Sequence, residues 1–204
     1  MTAIVGIAHN GLVHIGGDSA GVSGYVIHSR ADTKVFTTGT YAFGFTTSFR
    51  MGQLIRWAWT PPEPPASDLD RFMATTFVDG VRDCLKGGGW ASKENDRESG
   101  GVFLVGVAGR LFFVDSDYQI GESTQGYDAV GSGDELALGA LYATARTRMG
   151  PRRRLQVALE AAERFNGNVR GPFVYVSTPA AAASPPRPGR ERPAPAKSDS
   201  GVRP

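Results

Sequence analysis

Thr2 follows Met1, and threonine at that place carries two complementary groups once the methionine is trimmed. Its hydroxyl is a poor nucleophile at neutral pH until a base takes the proton. The adjacent α-amine, with an ordinary pKa of about 7.7–8.0, suits that task. One residue would then supply both nucleophile and general base. Many chains begin Met-Thr, so the dipeptide alone specifies little. Asp18 and Lys34 narrow the reading. The runs Thr2–Ala8 and Leu12–Asp18 flank Asn10-Gly11, and two apolar runs about Asn-Gly predict a hairpin with a type I′ turn. Pairing across that turn returns Asp18 to the side of the N-terminus. Lys34 opens a short strand entry, Ala31 to Phe36. Local rules do not place it against Thr2, but a buried cation there would disfavour protonation of the amine and stabilise a threonine alkoxide.

The elements that must position these residues follow from periodicity. Ser48 to Trp59 reads as a helix capped by Ser48, with Phe49, Gln53, Leu54 and Trp57 marking its pattern, and Pro61-Pro62-Glu63-Pro64-Pro65 ends it. Asp68 or Ser67 is expected to cap a second helix with Leu69, Phe72, Met73, Thr76, Phe77, Val81 and Leu85 on one face. It stops at Gly87-Gly88-Gly89, and residues 90–100 read as an exposed polar loop. A hairpin over Val102–Val107 and Leu111–Val114 comes next. Helices over Gly133–Met149 and Arg152–Phe165 follow, then a strand over Pro172–Val176. The order of strands, two helices, strands, two helices and a strand is that of an α+β fold in layers.

The same residues carry a family resemblance. Thr-x-Ile-Val-Gly at the N-terminus, Asn10-Gly11, Ile15-Gly16-Gly17-Asp18 and Lys34-Val35 resemble proteasome β subunits, most nearly in spacing the bacterial HslV peptidase. Ala129-Val130-Gly131-Ser132-Gly133 is similar to the family's Gly-Ser-Gly before a helix. The resemblance covers about residues 2–50 and 100–177. It implies a four-layer α-β-β-α sandwich, the fold of N-terminal nucleophile hydrolases, over residues 1–177. It implies Thr2 as nucleophile, an Asp18–Lys34 ion pair that tunes it, and Ser132 holding the amine and a water. The oxyanion donor falls in the loop Phe43–Ser48, with Thr47 where glycine or alanine is usual. Asn166 aligns with a supporting Asp and Val169 with a Ser. Phe36, Phe45 and Thr46 are the expected pocket lining, suited to a modest apolar side chain.

Composition bounds the rest. The chain has 204 residues, 41% of them hydrophobic, enough for one domain with its own core. Residues 178–204 hold seven of the 13 prolines, much alanine and only Val202 as a large apolar residue. Such a Pro/Ala-rich tail is expected to be disordered. Its five cations against two carboxylates give it +3 of a whole-chain +2, so the remainder sits near −1. The basic pI of about 8.8 therefore belongs to the tail and gives the domain no nucleic-acid footprint. Arg152-Arg153-Arg154 reads as a solvated helix start, or as a face toward a neighbouring subunit. Cys84 is the single cysteine and lies on an apolar helix face, which excludes a disulfide framework and suits the cytoplasm. His9, His14 and His28 have no metal-ligand spacing. No cofactor, metal, membrane span or secretory signal is expected.

These readings converge on a threonine-type endopeptidase working in a homo-oligomeric ring, with stacked rings and an ATPase unfoldase as family-implied partners and peptides or unfolded protein as substrate. Two alternatives remain open from the residues: an amidase of the same fold acting on a small amide, and a catalytically impaired ring-forming scaffold.

Overall fold

In the computed structural model, which describes residues 2–94 and 97–179, Asn10 and Gly11 both take positive φ (50° and 76°). They turn β1 (Ile4–His9) back onto β2 (Leu12–Gly17), in antiparallel register from His9 opposite Leu12 to Ile4 opposite Gly17. β12 (Tyr127–Val130) pairs with the free edge of β1, and β13 (Val174–Ser177) with that of β2, making a four-stranded sheet. A five-stranded sheet has the order β11 (Ile120–Glu122), β10 (Arg110–Val114), β9 (Phe103–Val107), β6 (Tyr41–Phe45) and β5 (Val35–Thr38).

The two sheets pack face to face through Ile4, Val13 and Ile15 against Val35, Ala42, Leu104 and Leu111. Gly44 permits that approach, because a Cβ there would meet Ile4 Cγ2 at 2.4 Å and Ile15 Cγ2 at 2.7 Å. The outer faces are covered as well, so β1 is buried on both sides and its apolar run does not alternate. Ala3, Val5 and Ile7 pack under α4 (Asp134–Thr144) and α5 (Pro151–Phe165). On the far side, Tyr41, Phe43, Phe45 and Phe103 meet α1 (Phe49–Trp57) and the helix that follows it. Helices, sheet, sheet and helices form the four layers of the α+β sandwich.

Ser48 caps α1, its Oγ accepting from Arg50 N at 3.0 Å. The second helix differs from its sequence reading. Asp68 has φ 58° and its side chain caps nothing, because that left-handed backbone turns it away from the first-turn amides. The helix runs as α2 (Leu69–Phe72), a π-helical turn (Met73–Phe77) and α3 (Val78–Gly87). The wide turn resets the apolar stripe to Met73, Phe77, Val81 and Leu85 and leaves Thr76 exposed. Residues 90–100 are not a plain loop: β7 (Ser92–Glu94) pairs with β8 (Arg97–Ser99).

α4 stops at Thr144 instead of Met149. At its end Ala145 N bonds Tyr142 O at 3.1 Å in a tightened turn, the Thr144 hydroxyl donates to Ala140 O at 2.8 Å, and Arg154 Nη2 donates to Leu141 O at 3.0 Å. In the Arg152–Arg154 run, Arg152 and Arg153 are exposed, as a solvated start implies, while Arg154 turns inward. Besides the Arg154 bond, the Arg152 guanidinium stacks over Tyr175 and Arg153 pairs with Glu160 at 3.6 Å. Cys84 is half-buried, donates to Leu54 O, and has its thiol pKa raised by burial. The proline-rich tail lies outside the described residues beyond Pro179.

Candidate active site

The β1–β2 register places Asp18 beside the first residues of the chain. Ala3 N donates to Asp18 Oδ1 at 3.1 Å, and Asp18 N returns a bond to Ala3 O at 3.2 Å. Asp18 Oδ2 accepts from Ala20 N (3.1 Å) and Arg170 N (3.4 Å). At 1% exposure a carboxylate is costly unless its lone pairs are filled, and three backbone amides and one cation fill them. That cation is Lys34, 2% exposed, with Nζ 2.8 Å from Asp18 Oδ1. Lys34 O accepts from Phe45 N at 3.0 Å, which pins it to the start of the β5–β6 pair.

Lys34 Nζ also donates to Thr2 Oγ1, again at 2.8 Å. Burial pushes the Lys34 ammonium below its ordinary value, Asp18 pulls it back up by charge and hydrogen bond, and the Arg30 charge lowers it further. The arrangement aims a cation at an oxygen that would become an alkoxide in nucleophilic attack.

Thr2 is itself 3% exposed. Its nitrogen donates to Ser132 Oγ at 3.2 Å and its carbonyl accepts from Gly133 N at 3.2 Å. Gly131 makes this seat possible. It has φ 108°, and a Cβ there would stand 2.3 Å from Thr2 O. Asn166, at the C-cap of α5, donates through Nδ2 to Ser132 O and accepts from Asn168 N at 2.9 Å. It acts on the turn that carries Ser132, one step away from Thr2. Val169 is fully buried and packs under α4 and α5 beside Gly133; its side chain serves the core.

Thr47 has φ 64°, a conformation that is an outlier for a β-branched residue. Its Oγ1 accepts from Val102 N at 3.1 Å, which holds the strained backbone, and no described residue accepts its own N–H. Strain of this kind, about 1–3 kcal/mol, persists where the surroundings enforce it and concentrates at functional sites.

Thr2, Lys34, Phe45, Thr46 and Thr47 line a pocket of about 290 Å³, closed by β3 (Ala20–Ser23), His28 of β4 (Val26–Ser29), and Arg30. Phe36 is not part of its lining. It stacks on Phe43 at 5.2 Å and stands behind Phe45 at 6.5 Å, because its strand turns that face toward α1 and not toward Thr2. Sequence reasoning missed the β3–β4 hairpin, His28 and Arg30. The segment is rich in glycine and serine and lacks a paired apolar pattern, so no local signal marks it. Among the described residues no three His, Cys, Asp or Glu side chains converge as a metal site, and no helix is long and apolar enough to cross a membrane.

No protein-family model matches the sequence, and no curated protein does. Solved structures do. BPH of Thiobacillus denitrificans superposes with a TM-score of 0.74 at 21% identity, over 89% of this chain and 100% of that one. The same protein in complex with epoxomicin gives 0.73 at 21% identity, over 86% and 97%. HslV from Trypanosoma brucei gives 0.63 at 15% identity, over 86% and 98%. An Anbu mutant from Hyphomicrobium sp. strain MC1 gives 0.61 at 16% identity, over 87% and 81%. By these superpositions and its own four layers, the chain has the proteasome-type N-terminal nucleophile hydrolase fold.

Proposed function

We propose that this chain is an N-terminal threonine peptidase of the proteasome and HslV type, active once Met1 has been removed. The observation that carries the reading is the single Lys34 ammonium held 2.8 Å from both Thr2 Oγ1 and Asp18 Oδ1 in a site shielded from water. A cation of that kind lowers the cost of deprotonating the hydroxyl and opposes protonation of a nearby amine.

The steps follow from the geometry. The freed Thr2 amine, facing Ser132 Oγ, takes the Oγ1 proton directly or through a water. Oγ1 attacks the peptide carbonyl carbon, and the Thr47 N–H is the donor available to the resulting oxyanion; one such donor contributes about 2.7–4 kcal/mol. The tetrahedral intermediate breaks its C–N bond, and the leaving amine takes the proton from the Thr2 ammonium. That leaves an ester on Thr2. Water, deprotonated by the same amine, then cleaves the ester and restores the hydroxyl.

Residues 2–177 would act as the catalytic domain within a cytoplasmic homo-oligomeric ring, taking peptides or unfolded protein, with an ATPase unfoldase as the candidate feeder. A ring would confine a pocket of this size away from folded proteins. The test is hydrolysis of a short fluorogenic peptide library by wild type, Thr2→Ser and Thr2→Ala. The reading expects turnover in wild type, reduced turnover in Thr2→Ser and none in Thr2→Ala. Equal turnover in Thr2→Ala would remove Thr2 from the mechanism. A folded, Met1-free wild type that cleaves nothing would leave the scaffold alternative standing.

A further inference from the structure

One wall of the pocket is built around an arginine. Arg30 runs along the backbone of Gly21, where a Cβ would come within 2.7 Å of Arg30 Cδ, and lays its Cζ 3.9 Å from the centre of the Phe49 ring. Asp32 takes two of its donors, Nε at 2.7 Å and Nη2 at 2.6 Å. A guanidinium has five N–H donors in one plane. Gly21, Phe49 and Asp32 therefore fix the plane, and among the described residues none accepts from the Nη1 edge. Asp32 stands outside the lining, and its pair with Arg30 is about 40% exposed on both sides. An exposed pair of this kind orients more than it binds.

The charged side chains that line the pocket have one sign. Arg30 and Lys34 both line it, each paired with a carboxylate set behind it, and no carboxylate is itself part of the lining. The first turn of α1 opens onto the same space through Ser48 and Phe49 and contains no acidic residue, so the positive end of its dipole is unopposed. A cationic guest would meet two cations whose carboxylate partners, Asp32 and Asp18, stand outside the lining, and would find no carboxylate for itself. An apolar guest would leave the Arg30 edge desolvated and unpaired.

We propose that Arg30 makes this pocket a subsite for an acidic side chain next to the scissile bond, a glutamate or aspartate whose carboxylate takes the Nη1 edge of the guanidinium. The inference rests on Thr2 as the nucleophile and corrects the modest apolar preference that Phe36, Phe45 and Thr46 had suggested. Phe45 and Phe49 supply the apolar sides along which the methylenes of a glutamate would lie.

The test uses a matched peptide series with Glu, Gln, Leu or Lys preceding the scissile bond, on the full chain and on Arg30→Gln and Arg30→Ala. Arg30→Gln keeps a stem over Phe49 and removes the charge. The expected kcat/KM for Glu exceeds that for the isosteric Gln by about tenfold in wild type at low salt, and the ratio falls to about one in both variants. It also shrinks in 0.5 M salt, where the Debye length is only about 4 Å. The same peptides are titrated by fluorescence anisotropy onto Thr2→Ala and onto Thr2→Ala with Arg30→Gln, which reads the subsite without turnover. A Glu preference in binding that needs Arg30, with no cleavage in wild type, would sink the peptidase reading and keep the subsite. Cleavage or binding in which Gln or Leu equals Glu, or a Glu preference that survives both Arg30 variants, would overturn the subsite.

Discussion

Lys34 Nζ lies 2.8 Å from Thr2 Oγ1, although 32 residues separate the two in the chain and neither is more than 3% exposed. The contact depends on both sheets. β1 and β2 fix Thr2 against Asp18, while β5, from the other sheet, delivers Lys34 to the same point. A contribution of this contact to stability and one to the proposed chemistry are separable by mutation.

Lys34→Ala leaves the Asp18 carboxylate buried without its cation and is expected to cost roughly 3–5 kcal/mol. Adding Asp18→Asn removes that charge and should recover part of the loss, less the cost of an amide NH2 where a carboxylate oxygen accepted a backbone N–H. Turnover should stay at least about 10²-fold down in both, because neither restores a cation at Thr2 Oγ1. Urea melts and peptide kinetics on the two variants check this. Recovery of turnover along with stability would show that Lys34 acts only on the fold.

Because burial holds Lys34 below its ordinary 10.5, the unfolded chain binds more protons than the folded one between the lowered value and 10.5. The unfolding free energy contributed by this group therefore rises with pH through that window. Asp18→Asn removes the negative charge that raises the Lys34 pKa and widens the window downward. The destabilisation caused by Asp18→Asn should accordingly be larger at pH 7 than at pH 10. Denaturant melts at the two pH values measure it, and a pH-independent difference would show that the Lys34 charge is not its source.

Thr47 gives an inverted order of small residues. Thr47→Ala loses the hydroxyl that receives Val102 N and keeps the cost of a side chain at φ 64°. Thr47→Gly loses the same bond but sheds that cost, about 1–2 kcal/mol. The glycine variant should therefore be the more stable of the two by about 1 kcal/mol, with turnover retained because the N–H remains. Thermal melts decide it: a more stable alanine variant would mean that the positive φ is not enforced.

Asn166→Asp would install the residue that the family resemblance places there. Here it is expected to harm, since an acceptor would replace the Nδ2 donor facing Ser132 O. A loss of about 1–2 kcal/mol and slower turnover are expected. Faster turnover would show that position 166 acts electrostatically on the Thr2 amine and not through the Ser132 turn.

Much of the site is legible in the chain because it is built from local rules. Asn10-Gly11 fixes a register, and that register alone puts Asp18 at Ala3. The approach of Lys34 crosses between sheets and is reached only through family resemblance, as is Ser132, which comes from a turn 130 residues away. The layered α+β order is readable because each sheet is followed by a helical pair. What escaped are features set by tertiary contact. The π-helical turn moved Thr76 off the core face, α4 ended early in a tightened turn, and Phe36 went to the aromatic layer instead of the pocket. The β3–β4 hairpin, with Arg30 beyond it, carries almost no apolar pattern, and the pocket wall was lost with it.

The most direct test of Thr2 as an N-terminal nucleophile is intact mass after incubation with epoxomicin, the compound with which the Thiobacillus denitrificans protein was solved. The account predicts a wild-type mass lacking Met1 that gains one inhibitor per chain, with no gain in Thr2→Ala. Retention of Met1 in the folded protein, or an equal adduct on Thr2→Ala, would contradict it.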